Sequence, residues 1–563
     1  MSEEYTEIKI EQYIQKSSRR PSNNPGGDGS NKWVIYIMPL ILAGVAILFY
    51  NIGASKFKSK EAREREEQVS RITEIIQIVE ENYVDSVDAE ALYLSSINGM
   101  LKKLDPHSVY IPLEDVEASN EQLQGHFGGV GIRFIILRDT LMVTNVIDGA
   151  PAANAGLKSG DRIVAVDGED IAGIGLDIEG VHDRLKGEYG SPIRLSVMRS
   201  GSNKVKEYDF LRGDIPLYSV DGAYMITDEI GVIKITSFSG YTDTEFDKAV
   251  TELKKKGMKK VILDLRYNGG GYMHTAINVA DEFLKQGKLI VYTEGVHVEK
   301  QETFATSFGQ CENMPVAVLV NSSTASASEI VSGALQDNDR AVIIGRRTFG
   351  KGLVQRPMEL PDGSELRLTI SRYYTPTGRS IQKPYGDGID YEADFYERYE
   401  NGELQEMDST IFENAPKFTT PKGKTVYGGG GIMPDIFVPI DTSGGSYYLT
   451  NINYSDAYRN FCFDYLDKHR SKFEKYKTDV QFNDQFQVSD ELLEEFIDYA
   501  SKHEDIAPIR KDIEYSKARL KSNLKAELAT YLFEFSARYL VNIPFDREIQ
   551  VAVEQLEEPE REL

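Results

Sequence analysis

Cysteine is nearly absent from this 563-residue chain, which holds only Cys311 and Cys462. Two cysteines build neither a disulfide framework nor a zinc ribbon. Whether the two pair is left open. Histidine is scarce too: seven occur, none in a nucleophile-elbow or triad context, so a Ser-His-Asp hydrolase lacks its base. There is no G-x-G-x-x-G, and the Gly-Lys-Thr at 423–425 has Phe418 where a P-loop needs its first glycine, which argues against dinucleotide and P-loop nucleotide sites. No His/Cys/Asp/Glu cluster has ligand spacing, so neither a metal nor another cofactor is expected. Basic charge is in deficit, with 64 Lys and Arg against 89 Asp and Glu, a net charge of −25. An acidic surface repels a phosphate backbone, so a nucleic-acid partner is not expected.

The chain is too long for one core, and two to four domains are expected. Residues 1–31 are polar, with PSNNPGGDGSN at their end, and read as a disordered tail. Trp33 to Ile52 is an uncharged apolar run of about 20 residues, the length that spans a bilayer, with Trp33 and Tyr50 near its ends as interfacial aromatics. The polar segment before it exceeds a usual signal-peptide n-region, and the cleavage pattern around Ile52-Gly53-Ala54 is poor, so it reads as an uncleaved anchor. Lysines and arginines flank it on both sides and barely discriminate its orientation.

Residues 60–110 read as a helical region. Val69, Ile72, Ile75, Ile76, Val79 and Tyr83 recur at spacings of three and four, and a second helix follows over Asp88–Lys103. Residues 115–212 form a unit of five or six short strands and two small helices. From 213 to 446 strands and helices alternate, the pattern of an α/β core, with an acidic, Tyr-rich insertion at 384–427. Residues 447–563 are helical, charged and amphipathic. The fold class is therefore multidomain α/β.

Three stretches carry chemistry. In NSSTASASEIVSGAL (Asn321–Leu335) a buried strand, PVAVLV, enters a helix through serines, threonine and alanines. A helix start presents free N–H groups, so a serine there is a candidate nucleophile beside an oxyanion donor, although serines are also ordinary N-caps. In RRTFGKGLVQ, Lys351 stands between two glycines; a lysine acts as general base when desolvation lowers its pKa. In LDLRYNGGG, three glycines after a buried strand allow close backbone approach to a ligand.

With LDPHS (Leu104–Ser108), ITSFS (Ile235–Ser239), RYYTPTGRSIQ (Arg372–Gln382) and GGGGIMPD (Gly428–Asp435), these stretches resemble the C-terminal processing peptidases, or tail-specific proteases, over roughly residues 65–383 plus the last block. The resemblance implies that Ser326 is the nucleophile, that Lys351, 25 residues later, is the general base, and that Gln355 orients the lysine. It implies an oxyanion hole from the N–H groups of Ala327 and one of Gly269–Gly271, here Gly270. Family members commonly carry proline where this chain has Gly269, which leaves the preformation of that hole in question. Ser322, Ser323 and Ser328 are then N-cap or packing residues.

Residues 115–212 resemble a PDZ domain, with Gly128, Gly129, Val130, Gly131 and Ile132 as the loop that cradles a peptide carboxylate. The layout implied is an N-terminal membrane helix, a PDZ domain ahead of an α/β protease core, and a helical C-terminal extension. The function implied is a membrane-anchored serine endopeptidase for polypeptides with exposed C-termini. The alternative is a catalytically silent PDZ scaffold or a partner-gated protease. Relatives place the protease domain outside the cytoplasm, on the periplasmic side of a bacterial inner membrane with a single span. The helical regions at 60–103 and 447–563 are candidate surfaces for a homo-oligomer or an adaptor.

Overall fold

The computed structural model describes residues 60–199, 204–386, 388–407, 415–533 and 535–558. The expected tail at 1–31 and membrane helix at 33–52 lie outside these residues. Among the described residues no helix is long and apolar enough to cross a membrane. The chain divides into two compact units, residues 1–96 and 97–563.

The first unit carries helix α1 (Lys60–Asn82) and the start of α2 (Ala89–Leu101), close to the two helices that the apolar periodicity predicts. Val69, Ile72 and Ile75 of the α1 stripe are exposed.

The second unit opens with β1 (Val109–Ile111) and α3 (Leu113–Gln124), and β2 (His126–Gly129) pairs antiparallel with β9 (Gly213–Pro216). Between them lies a small sheet in the order β3-β4-β5-β7-β8: β3 (Ile132–Ile136), β4 (Leu141–Val146), β5 (Arg162–Val166), β7 (Pro192–Met198) and β8 (Val205–Leu211), with β6 (Glu169–Asp170) paired to β5. Helices α4 (Pro151–Ala155) and α5 (Ile178–Leu185) complete it. Its core gathers the buried Val143, Ile163, Val181, Leu195 and Val197, the inward half of an alternating pattern.

The catalytic sheet has the order β10-β11-β12-β15-β16-β21. Its members are β10 (Val220–Met225), β11 (Ile230–Ile235), β12 (Lys260–Asp264), β15 (Val316–Val320), β16 (Val342–Gly345) and β21 (Ile436–Phe437). All neighbours from β11 to β21 are parallel, and β10 is antiparallel at the edge. Continuous apolar runs such as VAVLV suit strands buried on both faces. Helices α6 (Thr242–Lys255), α7 (Met273–Asp281) and α8 (Ala327–Asp337) cover one face, where Phe246, Val279 and Val331 meet Ile233, Leu263 and Val318. A second sheet, β1-β18-β13-β14 with β17 on β18, comprises β13 (Leu289–Gly295), β14 (Val298–Phe304), β17 (Leu353–Glu359) and β18 (Glu365–Tyr374).

Inside the acidic insertion lie α9 (Asp394–Glu400) and the hairpin β19 (Lys417–Thr419)–β20 (Thr425–Tyr427). The buried Arg398 of α9 donates to the carbonyls of Thr348 and Phe349 at 2.9 and 3.2 Å, so this segment buttresses the loop that carries Lys351. The C-terminal helices run α10 (Tyr447–Asn453), α11 (Ala457–Phe473), α12 (Asp479–Gln485), α13 (Asp490–His503), α14 (Arg510–Leu532), α15 (Phe535–Asn542) and α16 (Arg547–Glu557). Leu137 and Met142 of the small β domain lie in their core. Ile549, Val551 and Ala552 of α16 cover the second face of the catalytic sheet against Val232, Ile262 and Leu319. Amphipathicity announces a buried face without saying what buries it.

Candidate active site

The glycine-rich loop leaves the carboxyl end of β12, and the serine-rich loop leaves the carboxyl end of its parallel neighbour β15. Ligand sites in open parallel sheets lie at such carboxyl ends. The two loops are stapled together. Ala325 N–H and Ser328 Oγ both donate to the Asn268 carbonyl at 3.0 Å, and Asn321 Oδ1 accepts the N–H of Tyr267 at 3.0 Å. Ser328 is thus a tether, in line with its expected packing role.

Ser326 immediately precedes α8, with φ 55° and ψ −115°. Such a backbone is strained for a residue with a Cβ and persists because its surroundings hold it. The N–H of Ala327, the first helical residue, has no acceptor among the described residues, and it sits at the positive end of the helix dipole. A Cβ on Gly270, at φ +106°, would lie 2.8 Å from Ser326 Cβ and 3.0 Å from Ala327 N. That glycine is required by close approach. The Gly270 N–H, however, donates to Asn268 Oδ1 at 2.9 Å. The expected oxyanion donor is therefore committed inside its own loop. The cause is the fully buried Asn268, whose amide also donates to the Ile235 carbonyl at 3.0 Å.

Lys351 lies on the loop before β17 and is half-buried. Burial lowers its pKa from the ordinary lysine value, with Asp105 and Glu329 pulling the other way. Its Nζ donates to Gln355 Oε1 at 3.1 Å, and Gln355 Nε2 donates to the His107 carbonyl. Gln355 thus links Lys351 to the loop before β1. No hydrogen bond joins Ser326 Oγ to Lys351 Nζ.

Pairing of β1 with β18 brings the LDPHS loop to β17. His107 Nε2 lies 2.9 Å from Tyr391 Oη. Burial, reinforced by the Lys351 charge, lowers the His107 pKa to about 4. His107 belongs to the LDPHS block, which assigns it no role, and Tyr391 carries no sequence signal for this site. A third group did carry one. Glu329, fully buried, stands three residues after Ser326 in a capping-box pattern, and its carboxylate accepts the N–H groups of Ser326 and Lys351 at 2.8 and 2.9 Å.

The five residues expected to cradle a carboxylate fall on two strands and the turn between them. Gly128 and Gly129 belong to β2, paired with Asp214 and Gly213. Val130 and Gly131 make the turn, and Ile132 starts β3. The β3 strand is an edge of its sheet. Phe134 of β3 stacks edge-on against His182 of α5, with ring centroids 5.7 Å apart.

The two cysteines are free and buried. Among the described residues no group of His, Cys, Asp and Glu could hold a metal ion.

Comparison with known proteins gives these features a family. Residues 229–394 match peptidase family S41, residues 142–199 a PDZ domain, and residues 50–115 the activating protease CtpB N-terminal domain. Residues 448–534 match a family of unknown function. A carboxy-terminal-processing protease of Bartonella bacilliformis is 39% identical over 320 residues, 56% of this chain and 73% of the relative. A probable CtpA-like serine protease of Staphylococcus aureus is 35% identical over 355 residues, 63% of this chain and 69% of the relative. Its counterpart in Staphylococcus saprophyticus is 30% identical over 390 residues, 69% and 78% of the two chains. The chain belongs to the carboxy-terminal-processing proteases of peptidase family S41 and is a serine-type peptidase with a PDZ domain.

Proposed function

We propose that this protease works by a Ser326–Lys351 dyad. Neutral Lys351 takes the Ser326 Oγ proton as Oγ bonds to the scissile carbonyl carbon. The carbonyl oxygen becomes an oxyanion. Lys351 then returns the proton to the departing amine as the C–N bond breaks, leaving an acyl ester on Ser326. Water, deprotonated by Lys351, hydrolyses the ester and frees the new carboxyl terminus. The observation that carries this reading is the company of the lysine. Its ammonium donates to the neutral amide of Gln355, in a buried position that lowers its pKa. A lysine kept for an ion pair would be held charged instead.

The oxyanion donors in this reading are the N–H groups of Ala327 and Gly270, the second once it leaves Asn268. That requirement, with the unmade Ser326–Lys351 contact, favours a gated protease over a silent scaffold, since catalytic contacts often tighten only when substrate is bound. Substrate tails would add as a strand along the free edge of β3, with the terminal carboxylate at Val130-Gly131 and apolar side chains between Phe134 and α5. The run Trp33–Ile52 would anchor the chain once in a bacterial inner membrane with the protease on the periplasmic side. The exposed stripe of α1 is offered as a contact with a second copy or an adaptor.

The test is cleavage of an unfolded protein with a free apolar C-terminus by the full-length chain in detergent. Wild type is expected to cleave, and Ser326→Ala and Lys351→Ala, each checked for folding, are expected not to. Retained cleavage in either variant overturns the dyad.

A further inference from the structure

We propose that Glu329 and Tyr373 are positioning residues that clamp the nucleophile and the base together through their main chains, Glu329 from the N–H side and Tyr373 from the carbonyl side. The inference rests on the Ser326–Lys351 reading above.

The Glu329 carboxylate is completely buried and accepts four hydrogen bonds. Its Oε2 takes the N–H of Ser326 at 2.8 Å and that of Lys351 at 2.9 Å. Its Oε1 takes the N–H of Gly350 at 2.7 Å and the hydroxyl of Thr348 at 2.5 Å. One side chain therefore bridges the start of α8 to the whole lysine loop. On the other side the hydroxyl of Tyr373, on β18, contacts the carbonyl oxygens of both Ser326 and Lys351, at 3.1 and 2.8 Å. Tyr373 is 1% exposed, so neither clamp competes with solvent. These are the two residues whose reacting atoms must meet, and both buried groups hold both of them.

The clamp explains how Ser326 keeps a left-handed backbone. The N–H that such a turn exposes is captured by a carboxylate, and charge-assisted bonds of this kind are the strong ones. It also places a carboxylate among the groups that face Lys351. Asp105 from the loop before β1 and Glu329 from α8 act on Lys351 directly, His107 feels its charge, and Lys383 and Tyr391, beyond β18, lie behind His107. Burial raises the Glu329 pKa to about 7, and above that pH its negative charge opposes loss of the lysine proton. The residue thus does two separable things: it fixes geometry, and it sets the pH at which the base is ready.

Glu329→Gln separates them. An amide has one accepting oxygen, so one pair of donors loses its partner while volume is conserved. A misplacement of about 1 Å at a reacting centre costs on the order of 10²-fold, and kcat is expected to fall by about that factor with KM little changed. Loss of the negative charge favours the neutral lysine, so the rising limb of kcat/KM against pH is expected to move to lower pH. Tyr373→Phe removes a neutral donor. It is expected to lower kcat by about tenfold, with KM and the position of the limb unchanged.

The experiment measures kcat, KM and the pH profile of full-length wild type, Glu329→Gln and Tyr373→Phe in detergent. Folding is followed by thermal melting, and Ser326→Ala and Lys351→Ala are run as controls. A Glu329 variant that is folded, with wild-type kcat and an unmoved limb, overturns the clamp. So does a folded Tyr373→Phe with wild-type kcat, and that arm decides the matter if Glu329→Gln does not fold. A variant that loses activity only in proportion to its unfolded fraction also overturns it, because a purely structural role splits neither kcat from KM nor the two profiles. If the control variants still cleave, it is the dyad that fails, and that result is distinct from any of these.

Discussion

The guanidinium of Arg266 donates to the Asp546 carboxylate at 2.9 Å across 280 residues of sequence. Arg266 also pairs with Asp264 at the end of β12 and with Glu548 on α16. The glycine loop beside the candidate nucleophile is thereby fastened to the last helix of the chain. Its ionic anchor is buried: Arg266 is 6% and Glu548 8% exposed. Removing Asp546 and Glu548 leaves Arg266 with Asp264 alone and takes Glu548 from the buried Arg346. Asp546→Ala with Glu548→Ala is expected to cost about 3 kcal/mol of stability by urea unfolding. Activity should fall at temperatures where the fold persists. Wild-type stability and activity in this variant would show that the glycine loop stands without α16.

Adjacent glycines of that loop should behave oppositely. A Cβ at Gly269 meets nothing within 4 Å, whereas one at Gly270 meets Ser326 and Ala327, at a φ of +106°. Gly269→Ala is expected to keep activity within about twofold. Gly270→Ala is expected to lose on the order of 10²- to 10³-fold in kcat, the size of losing an oxyanion donor. Steady-state kinetics on the two variants distinguishes a crowded oxyanion turn from a merely flexible loop, for which the two effects would be equal.

The order of elements was readable from the sequence because its periods are clean. VAVLV and KVILD are buried parallel strands, and TDTEFDKAVTELKK is a helix with one apolar face. What was not readable concerns direction and partnership. Three consecutive glycines announce backbone freedom, yet only the fold aims the Gly270 N–H at Asn268. The helices after 447 announce apolar faces, yet only the fold buries Leu137 and Met142 of the small β domain among them. Arg398 lies in a segment without period, and its carbonyl partners in the lysine loop are some 50 residues away. Long-range pairing of that kind leaves no local pattern.

The β3 edge supplies a prediction about substrate choice. At the proposed tail-binding groove between β3 and α5, Phe134 meets His182 edge-on. Phe134→Ala removes one wall of that groove while leaving the strand edge itself. KM for a protein substrate with an apolar tail is expected to rise by about tenfold, the worth of one well-placed apolar contact. Hydrolysis of a short internal peptide, which does not use the groove, should be unchanged. Equal loss on both substrates would separate the β3 groove from recognition of the tail.

Acid should cost the fold stability through His107 from pH 6.5 downward, above the range of the ordinary carboxylates. Burial and the neighbouring Lys351 lower the His107 pKa to about 4, from an unfolded value near 6.5. The folded state therefore refuses a proton that the unfolded chain accepts. The sign follows: the contribution to stability is fully present above pH 6.5, falls as the pH drops below it, and is lost by about pH 4. His107→Gln removes the titration and preserves a polar side chain beside Tyr391. The melting temperature of wild type is expected to drop between pH 6.5 and 4 by more than that of the variant. The difference should vanish at pH 8 apart from a constant offset. Parallel pH dependences for the two proteins would mean that His107 titrates as an ordinary surface histidine, and that the Lys351 pocket admits a proton freely.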